Sequence, residues 1–258
     1  MEETPNIVCI IQARMGSSRL PGKVMKEICG RPMLGWVTQR AAQSRRVIST
    51  VAATTVSSGD DPIEEFCKKS GIACFRGNEF DVLDRYYQTA KIFQAEIVVR
   101  LTADCPLIDP ILVDETIEKL IVTGSDFDAN RLPPPYQRTY PIGLDVEAVT
   151  FNALEITWKQ AEKPYEREHV MPFLYDPQNH FKTIVLDAKQ NYGSQRWTVD
   201  TKEDLEFIRR VTAILGCRLD FSWLDVLKAI EEHPELIEIN AGVEHKSYHD
   251  IDNRANLK

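Results

Sequence analysis

The segment Ile10-Ile11-Gln12-Ala13-Arg14-Met15-Gly16-Ser17-Ser18-Arg19-Leu20-Pro21-Gly22-Lys23 joins an apolar run to a loop of small residues, hydroxyls and fixed cations. The run that leads into it, Ile7-Val8-Cys9-Ile10-Ile11, has the length of a buried strand. Small residues let backbone N–H groups approach phosphate oxygens, and Arg14, Arg19 and Lys23 supply the charge that neutralises them. The pattern predicts a strand followed by a polyphosphate-binding turn. It is not a P-loop, because Gly16 and Gly22 enclose five residues and Val24 follows Lys23 where Ser or Thr is required. No G-x-G-x-x-G follows the strand either, which weakens a dinucleotide-binding reading.

Outward from this loop, strand and helix signals alternate. Pro32 suits a first helical position, and Met33, Trp36, Val37 and Ala41 recur at helical spacing through 33–43. A strand is expected over 47–53, a helix from Asp60-Asp61-Pro62 through Lys69 closed by Gly71, and a short strand over 72–75. A helix over 82–93 leads to 95–101, the most strand-like run of the chain, followed by the loop Thr102-Ala103-Asp104-Cys105-Pro106. Further helices are expected over 110–121, 166–175, 202–215 and 221–230, and a strand over 142–149 whose polar face carries Asp145 and Glu147. The prolines of Leu132-Pro133-Pro134-Pro135-Tyr136 predict an extended loop or flap. Repeated strand-helix units favour a mostly parallel sheet with helices on both faces.

Composition narrows the class. With 258 residues, 43% hydrophobic and 27% charged, the chain can bury a large core; a catalytic domain over 1–235 and a polar tail over 236–258 are expected. A formal net charge of -8 argues against nucleic-acid or anionic-membrane partners, so any anion must be met locally. No apolar run approaches the roughly 20 residues that span a bilayer. The start Met1-Glu2-Glu3-Thr4 lacks a basic signal-peptide region, which predicts a cytoplasmic protein. Six cysteines without a C-x-x-C pair read as buried thiols rather than a zinc site or a disulfide frame. His245 and His249, near Asp250 and Asp252, read as part of a solvated tail rather than a metal site.

In open α/β sheets ligands gather beyond the carboxyl ends of strands, so the loops after Ile11 and Leu101 face one crevice if their strands are neighbours. One brings cations and the other brings Asp104. Asp200, in Arg196-Trp197-Thr198-Val199-Asp200-Thr201, stands where a short apolar strand runs into a helix. Asp104 and Asp200 together suit Mg²⁺, which takes few protein carboxylates; a helix cap is the equal alternative for Asp200.

The first loop resembles the signature of the sugar-acid cytidylyltransferases, the group of the CMP-Kdo and CMP-acylneuraminate synthetases, in the form of their SpsF-type, spore-coat polysaccharide branch. Three further segments fit that branch in order. They are Phe75-Arg76-Gly77 with Asp81-Val82-Leu83-Asp84-Arg85-Tyr86, then Arg100-Leu101-Thr102-Ala103-Asp104-Cys105-Pro106-Leu107-Ile108-Asp109, then Thr198-Val199-Asp200-Thr201. The resemblance implies a nucleotide-diphospho-sugar transferase, Rossmann-like fold and transfer of CMP from CTP to an anionic acceptor with release of pyrophosphate. It implies Arg14 and Lys23 as catalytic cations on the triphosphate, and Asp104 and Asp200 as ligands of Mg²⁺. Ala13, Ser17, Ser18, Arg85 and Thr102 would bind the nucleotide, although Thr102 and Ala103 stand where Kdo-type enzymes carry glutamine and glycine. Asp145, Glu168 and His169 would lie in the acceptor pocket, with unremarkable surface roles as the alternative for Asp145 and His169, and a homodimer is implied. CMP transfer to a phosphorylated or phosphonate molecule, a nucleotide-sugar glycosyltransferase and a non-catalytic nucleotide-binding protein are the competing readings.

Overall fold

Both faces of the strand β1 (Ile7–Gln12) are apolar, so it can only lie in the middle of a sheet covered on two sides. Ile7, Cys9 and Ile11 enter one core and Val8 and Ile10 the other, all of them fully buried. The computed structural model describes residues 4–132 and 138–244. After β1 come a small hairpin, β2 (Glu27–Ile28) with β3 (Arg31–Pro32), then α1 (Met33–Ala41), β4 (Ser49–Thr55), α2 (Asp61–Ser70), β5 (Ala73–Gly77) and α3 (Val82–Ile92). The second half contains β6 (Ile97–Thr102), α4 (Pro110–Thr123), β7 (Phe127–Ala129), β8 (Glu147–Thr150) and α5 (Phe151–Gln160). It ends with α6 (Pro164–His169), α7 (Pro172–Tyr175), β9 (Thr183–Val185), α8 (Lys202–Ile214) and α9 (Trp223–Glu232).

The seven-stranded sheet has the order β5-β4-β1-β6-β8-β7-β9. The first four strands are parallel, β8 is antiparallel to both its neighbours, and β9 is parallel to β7. The expected mostly parallel, mixed sheet is thus observed. One core packs α1, α2, α4, α8 and α9 on the sheet, and the other packs α3, α5 and α7 on its opposite face. The chain moves outward from β1 to β4 and β5, then returns to the other side of β1 as β6. Strand order reverses there, and the crevice beyond the carboxyl ends of β1 and β6 is the place for a ligand.

Several expected elements differ. The strand expected over 142–149 is ordered only as β8, because Gly143, at φ 106°, turns the backbone against Trp197 and Thr198. A Cβ there would meet Thr198 N at 2.5 Å, so only glycine permits the approach. The short strand expected before Asp200 reduces to one bridge between Arg196 and Ile142. The helix expected over 166–175 is split into α6 and α7 where Val170 adopts φ 72° and Pro172 cannot donate. The expected set of free thiols is corrected by a Cys29–Cys217 disulfide across 188 positions, which no local spacing announces; Cys9, Cys67, Cys74 and Cys105 are free. The expected polar tail begins docked, with Leu236 in the core and the Asn240 amide donating to Asp204 and to the Arg196 carbonyl. Pro133, Pro134, Pro135, Tyr136, His245 and His249 lie outside the described residues. Among the described residues no helix is long and apolar enough to cross a membrane.

Arg40 ties the layer behind the crevice together. Its buried guanidinium donates to the carbonyls of Ile108 (2.7 Å), Phe221 (2.9 Å) and Leu219, and stacks 3.6 Å from the centre of the Phe221 ring. Burial pushes its pKa down to about 10. Arg40→Ala removes a buried donor from three carbonyls, of which that of Leu219 keeps Gln43 Nε2 (3.2 Å), and is expected to cost about 3 kcal/mol or more of stability. Calorimetry should register a fall in Tm of roughly 6–12 °C; an unchanged Tm would contradict this role.

Candidate active site

The loop after β1 is shaped by its own backbone. Ala13 N–H donates to the Ala53 carbonyl (3.0 Å), extending the ladder with β4 by one residue. The Met15 carbonyl accepts from Ser17 N (3.0 Å) and Gly22 N (2.9 Å), and Ser17 Oγ accepts from Leu20 N (3.3 Å). Leu20 and Val24 anchor the loop in the core, and Gly22, at φ 67°, turns it into a single 3₁₀ turn that begins at Lys23. Asp60 fixes the other side, accepting from Met15 N (2.7 Å) and from the Thr55 hydroxyl. In the sequence Asp60 reads only as a helix cap, since no motif reveals that a loop 45 residues away needs its oxygen.

Lys23 is the centre of the site. Its ammonium donates to Asp104 Oδ2 (2.6 Å), Asp200 Oδ1 (2.9 Å) and the Val199 carbonyl (2.9 Å). Asp200 also pairs with Arg19 (2.9 Å) and Arg196 (2.7 Å). Behind them Arg196 binds Asp204, which accepts from the backbone N–H groups of Asp200 and Thr201 and closes the capping box of α8 opposite its N-cap, Thr201. Asp200 is therefore positioned by a capping neighbour rather than being the cap itself. The Asp104 carbonyl accepts from Val199 N (2.9 Å) and Thr198 Oγ1 (3.2 Å), so the two carboxylate-bearing segments are fastened to each other.

Charge neighbours override burial here. Burial alone would lower the Lys23 pKa, but Asp104 and Asp200 raise it. Burial would raise the Asp200 pKa, but Lys23, Arg196 and Arg19 hold it well below the usual carboxylate range. Cys105, beside Asp104, is pushed far above the ordinary thiol range by burial and by the charges of Asp104 and Asp145, so it is not a nucleophile. Among the described residues no group of three or more His, Cys, Asp or Glu side chains is arranged to hold a metal. The donor set at Lys23 is two carboxylates, which fits Mg²⁺ completed by water and phosphate oxygens.

A second cationic region lies toward β5. Arg85 on α3 is buried, its stem against Gly77, where a Cβ would meet Arg85 Cγ at 3.2 Å. Arg85 Nη1 donates to the Asn78 carbonyl (3.0 Å), and its Nε is buried without a partner among the described residues. Burial lowers its pKa, and the nearby charge of Arg14 lowers it further. Sequence reasoning sets Arg14 and Lys23 on one triphosphate; in the structure Lys23 is engaged by the carboxylates, and the charge of Arg14 reaches Arg85.

Of the remaining expected residues, Thr102 ends β6 with its hydroxyl 3.2 Å from Cys105 Sγ, and Ser18 is exposed at the loop's tip. Asp145 pairs with Arg138 (2.6 Å) and lies 3.6 Å from Arg131. Glu168 and His169 are half-buried on α6, which packs against α3. Their neighbour Arg167 clamps Asp81 at the start of α3 (2.6 Å) and so serves the fold. Arg131, Arg138 and Arg196 are not flagged by any motif.

Known proteins resemble this chain in sequence and in fold. A family model described as cytidylyltransferase matches residues 8–240. The chain is 32% identical over 237 residues to the spore coat polysaccharide biosynthesis protein SpsF of Bacillus subtilis, covering 89% of this chain and 96% of that one. It is 30% identical over 229 residues to the 3-deoxy-manno-octulosonate cytidylyltransferase of a Psychrobacter species, covering 82% and 78%. A solved cytidylyltransferase from Leptospira borgpetersenii superposes with TM-score 0.86 at 33% identity, over 93% of this chain and all (100%) of that one. A CMP:2-keto-3-deoxy-manno-octonic acid synthetase solved with CTP shares the fold, with TM-score 0.61 at 22% identity, over 81% and 99%.

Because Asp200 has a lowered folded-state pKa, its contribution to stability is present above its unfolded value near pH 4 and is lost as pH falls through the lowered value. Asp200→Asn is therefore expected to lower Tm at pH 7, and the gap from the wild type should narrow steadily below about pH 4. A gap independent of pH, read by calorimetry, would show that Asp200 is not stabilised as an anion.

Proposed function

The chain belongs to the cytidylyltransferase family, and from that premise we propose that it moves CMP from CTP to a sugar acid or similar small anionic acceptor, with Mg²⁺ and release of pyrophosphate, in surface-polysaccharide assembly. It is a nucleotidyltransferase, and its family sets it apart from nucleotide-sugar glycosyltransferases. The observation that carries the proposal is Lys23, which gathers Asp104 and Asp200 at the point of the sheet where strand order reverses.

The acceptor oxygen attacks the α-phosphorus in line with the departing pyrophosphate, and negative charge grows on the transferred and leaving oxygens. Held by Asp104 and Asp200, Mg²⁺ would supply positive charge against that growth. Lys23 adds an ammonium in the same space, carried on a turn fixed by Leu20, Gly22 and Val24, so little reorganisation is needed when charge develops. Arg14 and Arg85 would take the polyphosphate, since two guanidiniums whose charges act on each other are stabilised by an anion nearby. Backbone N–H groups of the loop from Ala13 to Ser18 would approach phosphate oxygens without side chains in the way.

Incubation with CTP, Mg²⁺ and a panel of sugar acids that includes 3-deoxy-manno-octulosonate is expected to release pyrophosphate, and chelation of the metal to stop it. Lys23→Ala and Asp104→Asn should each lower kcat by about 10²-fold or more. Failure of every acceptor in the panel to yield pyrophosphate, or turnover of UDP-sugars in place of CTP, would overturn the proposal.

A further inference from the structure

Resting on the cytidylyltransferase reading, we propose that Arg131 is the residue that receives the oxyanion of the acceptor, a carboxylate or a phosphate group. β8 is antiparallel to both β6 and β7, so β6 and β7 end at the same edge of the sheet. Arg131 follows β7 by two residues and stands on that edge. Asp145, its neighbour, is close enough to Cys105 for its charge to act on that thiol, and Cys105 adjoins Asp104. The Arg131 region therefore borders the centre of the site on the side away from Arg14 and Arg85.

Three guanidiniums meet two carboxylates there. Arg100 pairs with Glu147 and donates to Gln12 Oε1 (3.0 Å), and Arg138 grips both oxygens of Asp145 (2.6 and 3.3 Å). Both pairs are formed, and Arg100, whose Nε also lacks a partner among the described residues, has only 7% of its side chain exposed. Arg131 is left 3.6 Å from Asp145 and 3.9 Å from Glu147, beyond hydrogen-bond length, and its Nε is buried with no hydrogen-bond partner among the described residues. A guanidinium this enclosed, with 26% of its side chain exposed, loses hydration at Nε that no protein acceptor among the described residues restores. Its planar fork fits a carboxylate or phosphate through paired hydrogen bonds. Asp145 and Glu147 keep the charge in place before the acceptor arrives, but as anions they repel it. Attraction of an anionic acceptor falls to Arg131.

The test uses small oxyanions and needs no knowledge of the natural acceptor. The protein is treated with phenylglyoxal, which condenses with accessible guanidinium groups, and modified peptides are mapped by mass spectrometry. Arg131 should react faster than Arg100 and Arg138, and millimolar malonate or inorganic phosphate should shield it, whereas glycerol should not. Shielding by malonate assigns a carboxylate, and shielding by phosphate alone assigns a phosphate. By calorimetry, Arg131→Met should weaken binding of the shielding anion by about 10-fold or more, with Arg131→Lys intermediate, and CTP affinity should stay within about twofold of wild type. Arg131 reacting no faster than its neighbours, or no shielding by either anion, would overturn the assignment. Absence of CTP binding in the wild type would instead sink the cytidylyltransferase reading, and the modification pattern distinguishes the two failures.

Discussion

One shared ammonium holds the site in shape. Asp104 and Asp200 would repel each other in a space of low dielectric, and Lys23 Nζ, within 3 Å of both, makes their convergence possible. Removing Lys23 takes from Asp104 its ion-pair partner, while Asp200 keeps Arg19 and Arg196, so the loss falls chiefly on Asp104. The arrangement has few solutions in the fold: the loops after β1 and β6 and the segment before α8 must reach one edge of the sheet. The strand-order reversal between β1 and β6 provides that edge, and the fit of Gly143 against Trp197 and Thr198 brings the third segment to it. Around Lys23, three cations (Lys23, Arg19, Arg196) balance three carboxylates (Asp104, Asp200, Asp204), so the centre is neutral.

Charge along the rest of the crevice is uneven, and the unevenness follows the sheet. Toward β5 stand Arg14 and Arg85; toward β7 three guanidiniums face Asp145 and Glu147. A chain whose overall charge is -8 thus concentrates positive charge at two places and a balanced, exchangeable group of charges between them. That layout suits two anionic substrates whose reacting ends must meet at the middle, because electrostatic attraction draws each to its own side.

Much of this frame is legible in short stretches of sequence. The five apolar residues of β1 specify a strand buried on both faces, Gly71 ends α2 at φ 67°, and Asp109-Pro110 opens α4 with a capping bond to Ile111 N. Asp104 and Asp200 are legible as a pair because each follows an apolar run that ends at the carboxyl edge. The parts that escape depend on distant partners. β7 and β9 have three residues each, too few for any periodicity to show. Asp60, Arg40 and Arg131 occupy places with no motif, and their roles come from oxygens or charges brought near by folding. Lys23 reads as a phosphate ligand like Arg14, since nothing in a loop's composition tells which of its cations a remote carboxylate will claim.

The Cys29–Cys217 bond closes the chain between the β2–β3 hairpin and the end of α8 into a covalent ring. Everything from α1 to α8 lies inside that ring, but β1 and its loop lie outside it. Tension applied to the two chain ends would therefore bypass most of the sheet and fall on the two parallel ladders flanking β1 at one end and on the packing of α9 at the other. The strand that leads into the Lys23 loop is thus one of the two ends at which the molecule would begin to give while the ring stays closed.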